Sequence, residues 1–194
     1  REQGRRMARL VDDLLSLSRI EQNQHVRPES PVDLGLIARH VADTLAPLAE
    51  EMSVDLNVTS SRAIIVMGDR DELVRVAENL VENAIKYGAP PAGDKARRGR
   101  VEVRVARLNR EGLIAVRDDG PGIAPEHLPR LTERFYRIDA GQSRSRGGTG
   151  LGLAIVKHII ARHRGRLTIA SEIGEGSTFA AFIPLHADDQ STKA

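Results

Sequence analysis

The chain has 194 residues, enough for one sizeable hydrophobic core, or for one core with an appendage. Its 29 basic and 27 acidic side chains are interspersed, so no basic block indicates a nucleic-acid partner, and the absence of cysteine excludes disulfides and cysteine zinc sites. No apolar run reaches the roughly 20 residues that span a bilayer, and we expect no signal peptide among these residues. We expect a soluble domain with a tail, whose only connection to a membrane would lie in segments outside these residues.

The first predicted element is an amphipathic helix from about Arg5 to Glu21. Its apolar side chains recur at steps of three and four residues, as in helix bundles. They are Met7, Leu10, Leu14 and Leu17, with Val11 and Leu15 widening the stripe. Such a stripe packs either on its own domain or on a helix from another chain or a missing segment. The polar, proline-containing connector Gln22 to Pro31 favours the second alternative.

A second helix and two strands are predicted next. Asp33 is positioned to cap the helix, and an apolar face follows it. That face comprises Leu34, Ile37, Val41, Leu45 and Leu48. Val54 to Val58 alternates apolar and polar residues, and Ile64 to Met67 is a short apolar run, so both stretches are predicted to form strands.

A third helix carries a row of polar side chains. Asp69 to Glu72 is typical of a capping box, and the helix that it opens extends to Gly88. Asn79, Asn83 and Lys86 lie at i, i+4 and i+7, so two amides and an ammonium share one side of the helix. One asparagine on a helix is usually solvated, but amide oxygens in register also suit Mg²⁺, which typically binds few protein groups together with nucleotide phosphates. This row therefore indicates a cation and phosphate site.

A carboxylate follows the next pair of strands. Arg100 to Leu108 and Leu113 to Asp118 alternate in polarity and are joined by a predicted turn at Asn109 to Gly112. Asp118 ends the second strand, and Gly120, Gly122 and Ile123 follow. A carboxylate accepts a hydrogen bond from an exocyclic amine such as that of adenine, and glycines let a flat ring approach the backbone. Alone, this motif is more often a turn.

A glycine-rich loop precedes the last helix. Pro125 to Leu131 is predicted to be a short helix, and the polar segment Ile138 to Arg146 a mobile lid. Gly147 to Gly152 then opens an apolar-periodic helix, so backbone N–H groups and the positive helix end form a candidate phosphate cradle. Its spacing matches neither the P-loop nor the dinucleotide-binding loop. Arg166 to Ala170 and Ser177 to Leu185 are the last predicted strands.

Taken in order, these segments resemble the four sequence boxes of the ATP-binding half of bacterial sensor histidine kinases. They are the asparagine box at Glu78 to Tyr87, the first glycine box at Asp118 to Ile123, the phenylalanine box at Arg134 to Arg137 and the second glycine box at Gly148 to Gly152. Asp12 to Glu21 resembles the second helix of the family's dimerisation domain. Thr132 stands where most of the family has phenylalanine, and this segment is most similar to the phosphate-regulon sensor kinases.

The resemblance implies an architecture and a parent protein. The fold would be a two-layer α/β sandwich of the histidine kinase and gyrase type, preceded by one helix of a dimerisation bundle. Its mixed sheet would be covered on one face by the helices beginning at Asp33, Asp69 and Gly150, with adenine bound between the last two. We expect a truncated dimerisation helix at 1–25, a linker at 26–32, the catalytic domain at 33–186 and a disordered tail at 187–194. The parent would be a homodimeric inner-membrane protein that places this domain in the cytoplasm and phosphorylates a response regulator of the phosphate-regulon type.

The resemblance also implies a role for each site residue. Asn83, helped by Asn79, would hold Mg²⁺ on ATP, Lys86 and Tyr87 would line the phosphates, and Asp118 would recognise adenine beside Gly120, Gly122 and Ile123. Arg137 would reach the terminal phosphate. The segment that would close on the phosphates consists of Gly148, Thr149, Gly150, Leu151 and Gly152. The catalytic set would be Asn79, Lys86 and Arg137, because phosphoryl transfer requires mainly positioning and charge neutralisation.

Two other functions share these features. Gyrase-type and chaperone-type ATPases have a glutamate general base at the place of Asn79, where this chain has an amide that does not accept a proton at neutral pH. Hydrolysis is therefore expected to be slow. The other alternative is a nucleotide-binding module without catalysis. None of the six histidines is followed by the Glu and Pro of the family's phosphoacceptor, so all six are expected to be structural or solvated and the acceptor to lie on a first dimerisation helix outside this chain.

Overall fold

The computed structural model of the chain describes residues 2–60, 62–90, 98–138 and 148–186. In chain order, the elements are α1 (Glu2–Gln22), β1 (Ser30–Asp33), α2 (Leu34–Glu51), β2 (Val54–Ser60), β3 (Ile65–Gly68), α3 (Arg70–Gly88), β4 (Gly99–Leu108), β5 (Glu111–Asp118), α4 (Gly152–Arg162), β6 (Arg166–Glu172) and β7 (Gly176–Pro184). A short 3-10 helix, Leu128–Arg130, lies between β5 and α4.

The predicted two-layer α/β sandwich is confirmed. Five strands form a mixed sheet in the order β2-β4-β5-β7-β6, in which β2 and β4 are parallel and the other neighbours antiparallel. Alternate residues of β4, including Val101, Val103 and Val105, are buried, while those between them are exposed. Helices α2, α3 and α4 all pack on the sheet. The period of two along β4 therefore separates a face covered by helices from an open face.

Two helix starts are fixed by aspartate caps, as the sequence predicts. Asp33 accepts the N–H of Gly35 at 2.8 Å, and Asp69 accepts the N–H groups of Asp71 and Glu72. The reciprocal half of the predicted capping box is wrong, because Glu72 does not reach back to Asp69. The Glu72 carboxylate instead pairs with Arg162 of α4 at 2.5 Å. A long-range ion pair on a partly buried surface thus replaces a local bond.

Three local predictions need correction. Ser30–Asp33 is strand β1 rather than linker, because Val32 is buried and pairs with Val66 of β3. The predicted helix Pro125 to Leu131 forms only turns and the 3-10 helix. Strand β5 begins at Glu111, so the hairpin turn has two residues, of which Asn109 adopts the left-handed conformation at φ 55°.

Helix α1 packs on its own domain through its C-terminal half, which corrects part of the bundle prediction. Leu17 is 2% exposed and Ile20 5%, and both belong to the domain's core. The guanidinium of Arg162 donates to the carbonyls of Asn23 and Val26 just beyond α1, and Arg134 pairs with Glu21. Leu10 is partly buried and packs against the same core. Four other apolar side chains form an exposed face: Met7, Val11, Leu14 and Leu15. Of the two alternatives for the stripe on α1, packing on its own domain is therefore correct for Leu17 but not for the exposed face.

Three predicted segments fall partly or wholly outside the described residues. They are most of the lid at 138–146, the centre of the loop at 88–99 and the tail at 187–194. Within the described ranges, no helix combines the length and hydropathy required to cross a bilayer.

Candidate nucleotide-binding site

Helix α3 presents the predicted polar row on one side. Val76, Leu80 and Ala84 are buried in the core, whereas Asn79 and Asn83 are half-buried on the neighbouring face. The 3.6-residue period of the helix produces this division. The amides therefore lie at the edge of the core, where a ligand can reach them.

The amide of Asn79 has a fixed orientation. Its Nδ2 donates to the carbonyl of Arg75 at 2.8 Å, which leaves Oδ1 on the side of α4. A Cβ placed on Gly152 would lie 2.5 Å from this Oδ1, so glycine lets the first turn of α4 approach while the Asn79 amide keeps its orientation. The structure thus brings Asn79 and the start of α4 together, although they are about 70 residues apart in the sequence.

Lys86 forms an ion pair along α3. Its Nζ lies 2.5 Å from Oε1 of Glu82, one helical turn earlier. Since the Lys86 side chain is mostly buried and paired, it would have to exchange this partner to contact a phosphate. Tyr87, the next residue, is exposed.

Asp118 lies buried at the end of β5, with only 3% of its surface exposed. Burial raises the pKa of this carboxyl to about 6, although the backbone N–H groups of Gly120 and Ser177 donate to it. Gly120 packs so closely on the end of α3 that a Cβ there would lie 2.5 Å from the carbonyl oxygen of Tyr87. The first glycine segment therefore borders α3, as the predicted site requires.

Gly122 and Ile123 are anchored to a different part of the fold. Gly122 has φ +74°, and a Cβ there would lie 2.0 Å from the carbonyl oxygen of Glu172. The N–H of Ile123 donates to Ser171 Oγ at 2.8 Å. These contacts fix the first glycine segment against the end of β6.

The second glycine segment is held on two sides. The N–H of Phe135 donates to the carbonyl of Gly150 at 2.8 Å, and Gly150 has φ +75°. Thr149 accepts the N–H of Leu151 at 3.3 Å and donates to Oδ2 of Asp13 in α1 at 2.8 Å. Arg137 is half-buried, and its Nη2 has no hydrogen-bond partner among the described residues.

Sequence reasoning missed Asp13 and Arg75. Arg75 lies one turn before Asn79 on the same side of α3, and its guanidinium contacts Asp13 at 2.8 Å and Ser16 Oγ at 2.5 Å. The i, i+4 row of Arg75, Asn79 and Asn83 is the signal that could have extended the candidate site by one residue. The partner on α1 carried no such signal, because the docking of α1 depends on long-range packing.

The donor set fits a cation that is carried by phosphates. No cluster of three histidine or acidic side chains suited to a metal ion occurs in the described ranges. The amide oxygens of Asn79 and Asn83 are neutral ligands on adjacent turns, and such ligands suit Mg²⁺ when phosphate oxygens complete its coordination.

Residues 68–187, which contain this site, match the family of histidine kinase-, DNA gyrase B- and HSP90-like ATPases. The chain belongs to this family. It is 37% identical to the phosphate regulon sensor protein PhoR of Pseudomonas aeruginosa over 100% of its own length and 42% of that protein. It is also 38% identical to the sensor histidine kinase RppB of Synechocystis, over 94% of its length and 39% of that protein. Such relatives define the chain as the catalytic ATP-binding region of a sensor histidine kinase.

Solved structures agree with this assignment. The full-length ShkA structure in complex with AMPPNP matches with a TM-score of 0.79 and 28% identity, over 95% of this chain and 37% of that one. The mycobacterial sensor histidine kinase MprB matches with a TM-score of 0.65 and 28% identity, over 81% of this chain and 98% of that one. The family region thus has the predicted fold, whereas the chain spans only about two fifths of the length of the curated relatives named above.

Proposed function

We propose that this chain binds Mg²⁺-ATP between α3, the Asp118 segment and the second glycine segment, and transfers the γ-phosphoryl group to a histidine of a dimerisation helix. The phosphoryl group then passes to an aspartate of a response regulator. The observation that carries the proposal is the close approach of Gly152 to the oriented amide of Asn79. It unites a candidate metal ligand with a candidate phosphate cradle.

Each site residue has a proposed role. Asn83 and Asn79 hold Mg²⁺, which supplies charge neutralisation on the phosphates when bound. Lys86 and Tyr87 line the phosphates, and Arg137 stabilises charge on the terminal phosphate. Backbone N–H groups from Gly148 to Gly152 orient the phosphate chain. Positioning and electrostatic stabilisation of this kind are what phosphoryl transfer requires of a protein.

Adenine recognition is assigned to Asp118. Its buried carboxylate accepts a hydrogen bond from the exocyclic amine. Gly120 and Gly122 hold the segment beside the ring closely against α3 and the end of β6, where a Cβ would meet the carbonyl oxygens of Tyr87 and Glu172. Ile123 contributes apolar contact with the base. A guanine ring would present a carbonyl oxygen to Asp118, so the site prefers ATP to GTP.

Histidine phosphorylation is favoured over a dimer-clamp ATPase. The amide of Asn79 donates to a backbone carbonyl, and an amide does not act as general base toward water. Slow steady-state hydrolysis distinguishes the kinase from the clamp. The third alternative, a module that binds nucleotide without catalysis, predicts binding but no transfer to any histidine.

The parent protein is proposed to be a homodimeric inner-membrane sensor that places this domain in the cytoplasm. The similarity to a phosphate-regulon sensor supports a regulator of that type as its partner. The phosphoacceptor is assigned to a first dimerisation helix. Of the six histidines, His163 is buried with both ring nitrogens bonded to backbone, and none is followed by the Glu and Pro of the family's acceptor.

Incubation with γ-labelled ATP tests the proposal. The chain alone should acquire no acid-labile, base-stable phosphate, whereas the chain preceded by a first dimerisation helix should acquire it on that helix. Asn83→Ala in the extended protein is the matched control and should abolish labelling. Phosphohistidine on the chain alone would contradict the assignment of the six histidines, and rapid ADP release without labelling in either protein would support the clamp ATPase.

A further inference from the structure

A carboxylate on α1 joins the two halves of the proposed nucleotide site. Asp13 Oδ1 accepts from the Arg75 guanidinium of α3 at 2.8 Å, and Asp13 Oδ2 accepts from the Thr149 hydroxyl of the glycine segment at 2.8 Å. Asp13 is 19% exposed and Arg75 25%, so both bonds are largely shielded from water. One oxygen of this carboxylate therefore binds α3, and the other binds the second glycine segment.

Both bonded partners lie next to groups that would contact the ligand. The carbonyl of Arg75 accepts from Asn79 Nδ2 and so fixes the orientation of the amide. Thr149 accepts the N–H of Leu151, which shapes the segment just before α4 begins at Gly152. Asp13 is thus connected through Arg75 to the proposed Mg²⁺ ligand Asn79. It is connected through Thr149 to the candidate phosphate cradle.

We propose that Asp13 is a positioning residue for nucleotide binding, which holds the glycine segment against α3 before the ligand arrives. This inference rests on the proposed function. Preorganisation reduces the conformational entropy that the segment loses when phosphates bind. Since coupling between two binding events is reciprocal, nucleotide in turn strengthens the docking of α1. Asp13 does not contact the reacting atoms and acts through Thr149 and Arg75.

The adjacent Asp12 provides a matched control. Its Oδ2 lies 3.6 Å from the same Arg75 guanidinium, and its side chain is 76% exposed. Asp12→Asn and Asp13→Asn make the same change in charge, but only Asp13→Asn removes one of two acceptors that are in use. Asp13→Asn places an NH2 group where one of the two carboxylate oxygens stood, and this group donates rather than accepts, so one of the two bonds is lost in its present form.

Nucleotide affinity is the first measurement, made on the whole chain with Mg²⁺ and AMPPNP. Asp13→Asn should weaken binding by about three- to tenfold, the range expected for one net hydrogen bond, while Asp12→Asn should leave it within about twofold. Thr149→Val should weaken binding at least as much, because it also removes the acceptor of the Leu151 N–H, and the combined effect of the two substitutions should be less than additive. Thr149→Ser retains the hydroxyl and should bind nucleotide with about the affinity of the wild-type chain. Because Thr149→Val leaves the Arg75 ion pair intact, it tests the inference without disturbing the folding of α1.

Amide hydrogen exchange of α1 is the second measurement, with and without saturating AMPPNP and Mg²⁺. Nucleotide should slow exchange in α1 of the wild-type chain, and this extra protection should disappear in Asp13→Asn and Thr149→Val. A purely structural role predicts the same nucleotide effect in all variants and would overturn the inference. Tighter nucleotide binding by Asp13→Asn would also overturn it. If the wild-type chain bound no AMPPNP, the proposed function itself would fail, which is a different result from binding that is indifferent to Asp13.

Discussion

His163 Nε2 accepts the backbone N–H of Asp69 at 3.0 Å, across 94 residues of sequence. The same ring donates from Nδ1 to the carbonyl of Ile159 at 2.8 Å, so His163 is the neutral tautomer with its proton on Nδ1. The ring is fully buried where α4 ends and α3 begins. A histidine that sequence reasoning assigned a structural or solvated role thus joins two helices of the proposed site.

Replacing His163 should destabilise the domain and remove part of its acid sensitivity. His163→Ala leaves the Asp69 N–H without its acceptor and opens a cavity, at an expected cost of about 2–4 kcal/mol. Burial lowers the pKa of His163 below its usual value of 6.5, so the unfolded chain binds its proton first as the pH falls. The stability that neutral His163 contributes is therefore present above about pH 6.5 and is lost below it. Chemical denaturation at pH 7.5 and pH 5.5 measures both effects, with exposed His25→Ala as the control.

Gly152→Ala should weaken nucleotide binding while leaving the stability of the domain nearly unchanged. The added Cβ would lie 2.5 Å from Asn79 Oδ1, and the side chain of Asn79 can rotate away at the expense of its bond to Arg75. We expect Mg²⁺-nucleotide affinity to fall by about tenfold or more, while the free energy of unfolding changes by less than about 1 kcal/mol. Gly4→Ala, at a helical glycine with open space around it, is the control and should leave affinity unchanged. If Gly152→Ala bound Mg²⁺-nucleotide with wild-type affinity, the proposed role of Asn79 in the site would be contradicted.

Asp118 should make ATP binding sensitive to pH. Its pKa of about 6 means that the carboxylate predominates at neutral pH and is lost as the pH falls through 6, together with the acceptor for the adenine amine. ATP affinity should therefore decline between pH 7 and pH 5. Asp118→Asn should lose about tenfold to a hundredfold in ATP affinity at pH 7.5 and relax the preference for ATP over GTP. A pH profile that is the same in both proteins would contradict this role.

The same carboxyl has the opposite effect on folding. Because the folded-state pKa of Asp118 lies above the usual value of 3.8, the native state binds its proton first as the pH falls from about 6 toward 4. This group alone therefore favours folding at lower pH, by up to about 3 kcal/mol. His163 opposes that trend, and Asp118→Asn in a His163→Ala background separates the two contributions.

The open face of α1 should cause self-association. Met7 is 69% exposed, and Val11, Leu14 and Leu15 lie beside it, which leaves an apolar stripe facing water. Sedimentation at increasing concentration should detect oligomers of the wild-type chain and none of the Leu14→Glu variant. Leu17→Glu is the contrasting variant. It should lower the free energy of unfolding, because Leu17 is buried in the domain.

Local patterns predicted most of the fold because they depend on neighbours in the sequence. The alternation of β4 and the aspartate caps at Asp33 and Asp69 are of this kind, and each is confirmed. The errors are at places where distant segments compete with local preferences. Glu72 forms an ion pair with Arg162 instead of the local capping-box bond. Val32, predicted to lie in a linker, pairs with β3 as part of strand β1.

In the candidate site, too, local patterns were predictable and long-range contacts were not. The row of Asn79, Asn83 and Lys86 could be predicted because it follows from helical spacing alone. The contact of Thr149 with Asp13 could not, because it requires α1 to dock 136 residues away in the chain. Contacts of this kind depend on tertiary packing, which no short pattern of residues encodes.

Calorimetric titration of the chain with AMPPNP, in the presence and absence of Mg²⁺, tests the central claim most directly. We predict one saturable site whose affinity falls by at least about tenfold when Mg²⁺ is removed, and for which Asn83→Ala abolishes the Mg²⁺ dependence. Binding with the same affinity with and without Mg²⁺ in both proteins, or no binding by the wild-type chain, would contradict the assignment of this site.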